Sequence, residues 1–155
     1  MSDLDTLYQQ VILDHSRQRC GCAPVPEDVT ASSYQVNPTC GDEVTLGVRV
    51  DDSGNLTEVV WDGDGCSISQ ASLSIMSELI DGKDLSEIAG LYDDFETMMH
   101  SRGKGVDEDL LDRVEDGAAL EGTSKFPNRI KCALLGWYAL RDALAQAGIK
   151  LEDHR

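Results

Sequence analysis

Apolar residues recur at helical spacing near the start of the chain. Leu4, Leu7, Tyr8, Val11 and Ile12 fall on one side of a helix and predict an amphipathic element over residues 4–16. The stretch RCGCAPVP (Arg19 to Pro26) breaks that pattern and reads as a loop. The period then changes to two. After a strand at Ser32–Val36, Val44, Leu46, Val48 and Val50 alternate with Thr45, Gly47 and Arg49, the signature of a half-buried strand. DDSGN (Asp51 to Asn55) supplies a hairpin turn and Leu56–Trp61 the returning strand. From Cys66 onward the period is helical again, with Ile68, Ala71, Ser72, Ile75 and Leu79 on one face and Asp81-Gly82 as a stop. Asp84 and Glu87 have capping-box spacing ahead of a helix to about Met99. Residues 102–124 are Gly-rich and acidic, and predict a mobile excursion with a short helix at Leu110, Leu111 and Val114. Pro127 suits a first helical turn, and a long helix follows to Gly148.

Strands first and helices afterwards predict an α+β fold, a three-stranded antiparallel sheet packed with about five helices. The length of 155 residues suits one domain, expected over residues 1–150 with a disordered tail at 151–155. Aromatic residues are only 5%, so the core must rest on Leu, Ile, Val and Ala. The net charge of −16 argues against nucleic acid and anionic lipid as partners. It favours solubility, or attraction to a basic protein surface. No apolar run approaches the ~20 residues of a membrane span, and MSDLDTLYQQ (Met1 to Gln10) lacks the basic start and apolar stretch of a signal peptide. A cytoplasmic location is expected. Five cysteines, Cys20, Cys22, Cys40, Cys66 and Cys132, then read as metal or thiol chemistry rather than as a disulfide framework.

Three of these cysteines stand at informative places. In the last helix, Ile130, Ala133, Leu134, Trp137, the stem of Arg141 and Leu144 form the apolar stripe. Cys132 projects more than about 90° away from its centre, beside Asn128 and Gly136. That position counts against reading Cys132 as a small core hydrophobe. Arg129, one turn earlier, would favour its thiolate. Cys66 lies in WDGDGCS (Trp61 to Ser67), where a strand ends and a helix starts, and free N–H groups stabilise a thiolate there. A calcium loop beginning at Asp62 fails, because Ser67 and Leu73 occupy the places that need Gly and Glu. Cys40 and Asp42 share the strand-to-strand turn NPTCGD (Asn37 to Asp42). Alone, Asp42 is an ordinary turn former and Cys40 specifies little. As a set, three thiols and a carboxylate suit a tetrahedral zinc site. Separations of 26 and 66 residues along the chain imply a site assembled by the fold. Cys20 and Cys22 read as incidental surface thiols, open to soft-metal binding or a strained disulfide. His15, His100 and His154 are remote in sequence from Cys40, Cys66 and Cys132.

NPTCGD, GDGCSIS (Gly63 to Ser69), SKFP (Ser124 to Pro127) and RIKCA (Arg129 to Ala133), with LDTLYQQVILDH (Leu4 to His15), resemble the SufU branch of the IscU/SufU-like iron–sulfur assembly family. The likeness spans nearly the whole chain in the same order, including a SufU-type insertion between Cys66 and Cys132. It implies zinc held by Cys40, Asp42, Cys66 and Cys132, with Arg129 as the basic residue beside the site. It also implies sulfur acceptance at Cys40 from a pyridoxal-phosphate cysteine desulfurase of the SufS type. In that picture a desulfurase histidine replaces Cys40 on zinc, and sulfur passes onward, for example to an iron–sulfur scaffold. IscU scaffolds place His directly before the last cysteine, whereas this chain has Lys131, which speaks against cluster assembly on it. A second departure is HSRQRCGC (His15 to Cys22), where family members tend to have a His-Tyr-Lys-x-Pro-like stretch. Two alternatives use the same residues: a cluster scaffold, or a structural zinc protein that activates a desulfurase.

Overall fold

The computed structural model describes residues 3–154. Helix α1 spans Asp3–Gln18, and strands β1, β2 and β3 span Ala31–Asn37, Asp42–Val50 and Leu56–Asp64. Helices α2 (Ser67–Ile80), α3 (Leu85–His100), α4 (Glu108–Arg113) and α5 (Pro127–Gln146) follow. The strands form one antiparallel sheet in the order β1-β2-β3. The α+β class and the three-stranded sheet are as the sequence predicts.

Alternation on β2 turns Val44, Leu46 and Val48 inward, and β3 adds Trp61; all four are fully buried. Helix α5 lies across β1 and β2 on this face and also packs against α2. At the crossing a Cβ on Gly136 would collide with the Leu73 side chain, so glycine sets how closely α5 approaches α2. Trp137 stacks on Phe95 at 5.1 Å between ring centroids and joins α5 to α3. The expected capping box starts α3, with Asp84 accepting the Glu87 N–H at 2.8 Å.

Three expectations need correction. Helix α5 has no polar side through its middle: Cys132, Ala133, Leu134, Leu135, Gly136 and Trp137 are all buried. Small residues let the sheet and α2 close on faces that a single-stripe reading leaves open. Arg141 is exposed instead, its guanidinium 5.4 Å from the Tyr92 ring and 5.3 Å from the Tyr138 ring. The region 102–124 is anchored rather than loose. Leu110 and Val114 are buried on and after α4, and Ala118, Ala119 and Leu120 on the 3-10 segment Glu115–Lys125. Finally, Leu151–His154 forms a 3-10 turn with Leu151 buried, where a disordered tail was expected. Arg155 lies outside the described residues.

The loop after α1 runs beside β3. Cys22 forms a parallel bridge with Trp61, Trp61 N–H donates to the Gly21 carbonyl, and the indole Nε1 donates to the Cys20 carbonyl at 2.8 Å. This loop covers backbone that an edge strand would otherwise leave open. His15, expected only to flank the end of α1, is buried at 4% exposure. Among the described residues, no helix is long and apolar enough to cross a membrane.

Candidate metal centre

The turn joining β1 to β2, the start of α2 and the first turns of α5 meet at one end of the sheet. Antiparallel register sets Asn37 opposite Asp42, so residues 38–41 must reverse the chain between them. Gly41 makes that possible with φ of +70°. Cys40 sits in this reversal and is exposed.

Asp42 opens β2 and is only 2% exposed. Its Oδ1 accepts the Cys66 backbone N–H at 2.8 Å and the Ser69 hydroxyl at 3.2 Å. Cys66 is the N-cap position of α2 and its own side chain makes no cap bond; from a neighbouring strand Asp42 accepts the Cys66 N–H, the bond that an N3 side chain makes in a capping box. A carboxylate at this end also opposes the positive end of the helix dipole. Gly65 is obligatory here, because a Cβ would run into Asp42 Oδ1 and Ser69 Oγ.

Cys132 comes in from α5 and is 1% exposed. The Asn37 amide donates to its Sγ at 3.4 Å and lies at the same distance from Asp42 Oδ2. Burial, first, and then Asp42, Cys40 and Cys66 push the Cys132 thiol far above its ordinary pKa. Ligand atoms of Cys40, Asp42 and Cys132 lie within 4.8 Å of one another. The Cys66 thiol is directed at Asp42 Oδ2, 3.9 Å away. Three of the four expected residues thus share this spacing, and Cys66 stands beside them through its contact with Asp42. A thiol kept protonated chiefly by burial, with the Asp42 carboxylate beside it, is a place where a cation would offset both effects, and three sulfurs with one oxygen would suit a tetrahedral zinc ligand set.

The remaining residues are distributed differently. Arg129 is exposed and its guanidinium lies over the Phe126 ring at 4.8 Å, so it is aimed at an aromatic neighbour and not at Cys132. Lys131 is exposed. His100 ends α3 and is exposed, and His154 is half-buried in the last turn. Sequence reasoning missed two polar side chains that hold the centre, Asn37 and Ser69. Both were visible as neighbours: Asn37 begins NPTCGD, and Ser69 follows Cys66 by three residues, the spacing of one helical turn.

Residues 7–148 match the family described as the NifU-like N terminal domain. The chain belongs to that family. This NifU-like domain is 40% identical over 146 residues to the zinc-dependent sulfurtransferase SufU of Bacillus subtilis, covering 94% of each chain. It is 33% identical over 147 residues to the iron–sulfur cluster assembly scaffold protein IscU of Streptococcus pyogenes, covering 95% of this chain and 88% of that one. A crystal structure of a proposed SUF-system iron–sulfur cluster assembly scaffold from Fervidobacterium islandicum superposes with a TM-score of 0.71 at 34% identity, covering 90% of this chain and 97% of that one. The SufU-type resemblance carried by NPTCGD, GDGCSIS and RIKCA agrees with these relatives.

Proposed function

We propose that this NifU-like domain is a zinc-dependent sulfur acceptor in iron–sulfur cluster biogenesis, taking persulfide sulfur from a SufS-type cysteine desulfurase at Cys40. One observation carries the reading. Of the three converging thiols, Cys132 is buried and Cys66 half-buried, whereas Cys40 is exposed. Only Cys40 combines membership of the cluster with open access to a second protein.

Zinc held by Cys40, Asp42, Cys66 and Cys132 would supply positive charge that keeps the thiols deprotonated. Sulfur transfer then follows thiol–disulfide exchange chemistry. The Cys40 thiolate attacks the terminal sulfur of the donor's persulfide, a new S–S bond forms on Cys40, and the donor cysteine leaves as its thiolate. Asp42 and Cys132, both buried, hold the rest of the cluster in place. The reading is supported by the sulfurtransferase among the relatives. The net charge of −16, which suits solubility first, is also compatible with a basic partner surface.

The test is mass spectrometry of the intact chain after incubation with a cysteine desulfurase and cysteine. The wild type should gain one sulfur at Cys40, and Cys40→Ala should gain none and stimulate no turnover. Persulfide on another cysteine of Cys40→Ala, passed on to a recipient, would overturn the assignment. A second reading, cluster scaffold, draws on the IscU relative. Anaerobic reconstitution separates the two, because a scaffold would hold a stable, transferable cluster with visible absorbance. Retained desulfurase stimulation by Cys40→Ala would instead indicate a structural zinc protein.

A further inference from the structure

A second set of ligating side chains meets away from Cys40, where the end of α1 and the following loop rest on α2. Ser74 and Glu78 stand one turn apart on α2 and face that loop. The buried His15 ring lies between elements: Nδ1 is 2.8 Å from Ser74 Oγ, and Nε2 is 2.9 Å from Asp116 Oδ2 and 3.8 Å from Glu78 Oε2. Arg19, at φ +49°, turns the chain so that the Cys20 N–H donates to Ser74 Oγ at 3.0 Å. The Cys20 thiol then donates to Glu78 Oε1 at 3.1 Å. Ligand atoms of His15, Cys20 and Glu78 lie within 4.8 Å of one another.

A buried histidine bonded to a serine and an aspartate is complete without anything further. That account leaves Cys20 and Glu78 unexplained. Two carboxylates converge on a single ring nitrogen, and a thiol closes the group in a chain of net charge −16. We propose that His15 Nε2, Cys20 Sγ and a Glu78 carboxylate oxygen form a second binding site for a zinc-class divalent cation, with Asp116 as the fourth donor.

The donor types decide the class. Nitrogen, sulfur and carboxylate oxygen together suit borderline metals, whereas magnesium and calcium take oxygen alone. Ser74 Oγ meets Nδ1 and orients the ring from behind, while the 2.9 Å contact puts an N–H on Nε2 toward Asp116 Oδ2, a proton whose place a bound cation would take. Access is open from the solvent side, since the Glu78 and Asp116 side chains are 51% and 55% exposed and line a common cleft with Ile75 and Leu79. On binding, the Cys20 proton leaves to solvent as the sulfur–metal bond forms, and the Nε2 proton is exchanged for one on Nδ1, which Ser74 Oγ accepts, freeing the Nε2 lone pair for the metal. The site shares no residue with the Cys40 centre.

Elemental analysis and cobalt spectroscopy on the full chain test this directly. Wild-type protein equilibrated with zinc should retain about two ions per chain, and Cys20→Ser and Glu78→Gln about one, the capacity of the remaining four-ligand centre. Cobalt added to protein already carrying one equivalent of zinc should give a sulfur-to-metal charge-transfer band in the wild type. That band should be lost in Cys20→Ser, and Glu78→Gln should need at least about tenfold more cobalt to reach it. Circular dichroism shows whether each variant is folded, and Glu78→Gln carries the test if Cys20→Ser is not. A wild type that holds one ion, or a second cobalt whose band persists undiminished in both variants, overturns the site. Loss of sulfur transfer in Cys40→Ala bears on the other centre alone.

Discussion

Replacing Asp42 separates two roles that one carboxylate combines. Asp42 Oδ1 holds the Cys66 N–H at 2.8 Å and the Ser69 hydroxyl at 3.2 Å, at a position 2% exposed. Asp42→Ala removes both bonds and leaves the first N–H of α2 without its acceptor. A hydrogen bond to a charged group is worth about 1.5–3 kcal/mol, and a lost N-cap about 0.5–2 kcal/mol. The two overlap, because the cap is the bond, and so the expected loss is about 2–3 kcal/mol. For a chain of this length that lowers the melting temperature by roughly 4–12 °C. Asp42→Asn keeps an oxygen at the same place and should cost less than half as much. Both variants lose the anionic ligand, and both should bind zinc at least about tenfold more weakly. Thermal melts in the presence of a chelator and zinc competition against a chromogenic chelator read the two effects separately. Equal melting temperatures for Asp42→Asn and Asp42→Ala would refute the capping argument. Unchanged zinc affinity in both would remove Asp42 from the ligand set.

Two further outcomes follow from neighbouring geometry. In Gly65→Ala the new methyl must displace Asp42 Oδ1 or Ser69 Oγ, so zinc affinity should fall about 10–100-fold with no ligand changed; a competition titration that matches wild type would contradict the close approach. Burial, the largest cause for each, raises the Tyr92 and Tyr138 hydroxyls above their ordinary pKa. Their contribution to stability is complete below the unfolded value of about 10 and declines as pH rises past it, because the unfolded chain ionises first. Melting temperature should therefore drop above about pH 10, with the Tyr92 and Tyr138 share of the tyrosinate absorbance of the four tyrosines appearing only as the protein unfolds.

What could be read in advance followed the reach of each signal. Period-two alternation on β2 depends on neighbouring residues alone, and it identified the inward face formed by Val44, Leu46 and Val48. The capping box of α3 is equally local. Cys132 shows where locality fails. A stripe drawn from large apolar residues put it on an outer face, yet Gly136 and Ala133 allow α2 and the sheet to close around it. The four residues of the Cys40 centre were legible as separate element ends and as family motifs. Their second partners were not, since the bond from Asn37 to Cys132 spans 95 residues. The same holds at His15, whose partners lie 59 and 101 residues along the chain. Nothing in HSRQRCGC predicts them.

The turn that carries Cys40 has a mechanical consequence. A Cβ built on Gly41 would meet nothing within 4 Å, so this reversal is shaped by backbone torsion and not wedged by neighbours. Asp42 is gripped by a strand register and a helix start, and Cys132 is buried on the inward side of α5. Of the four proposed donors, Asp42 and Cys132 are thus buried and held, whereas Cys40 sits exposed on a turn that nothing wedges. Under the proposed function, a partner that draws on this centre would displace the Cys40 turn before the buried arms, so compliance and not bond strength would set the order of exchange.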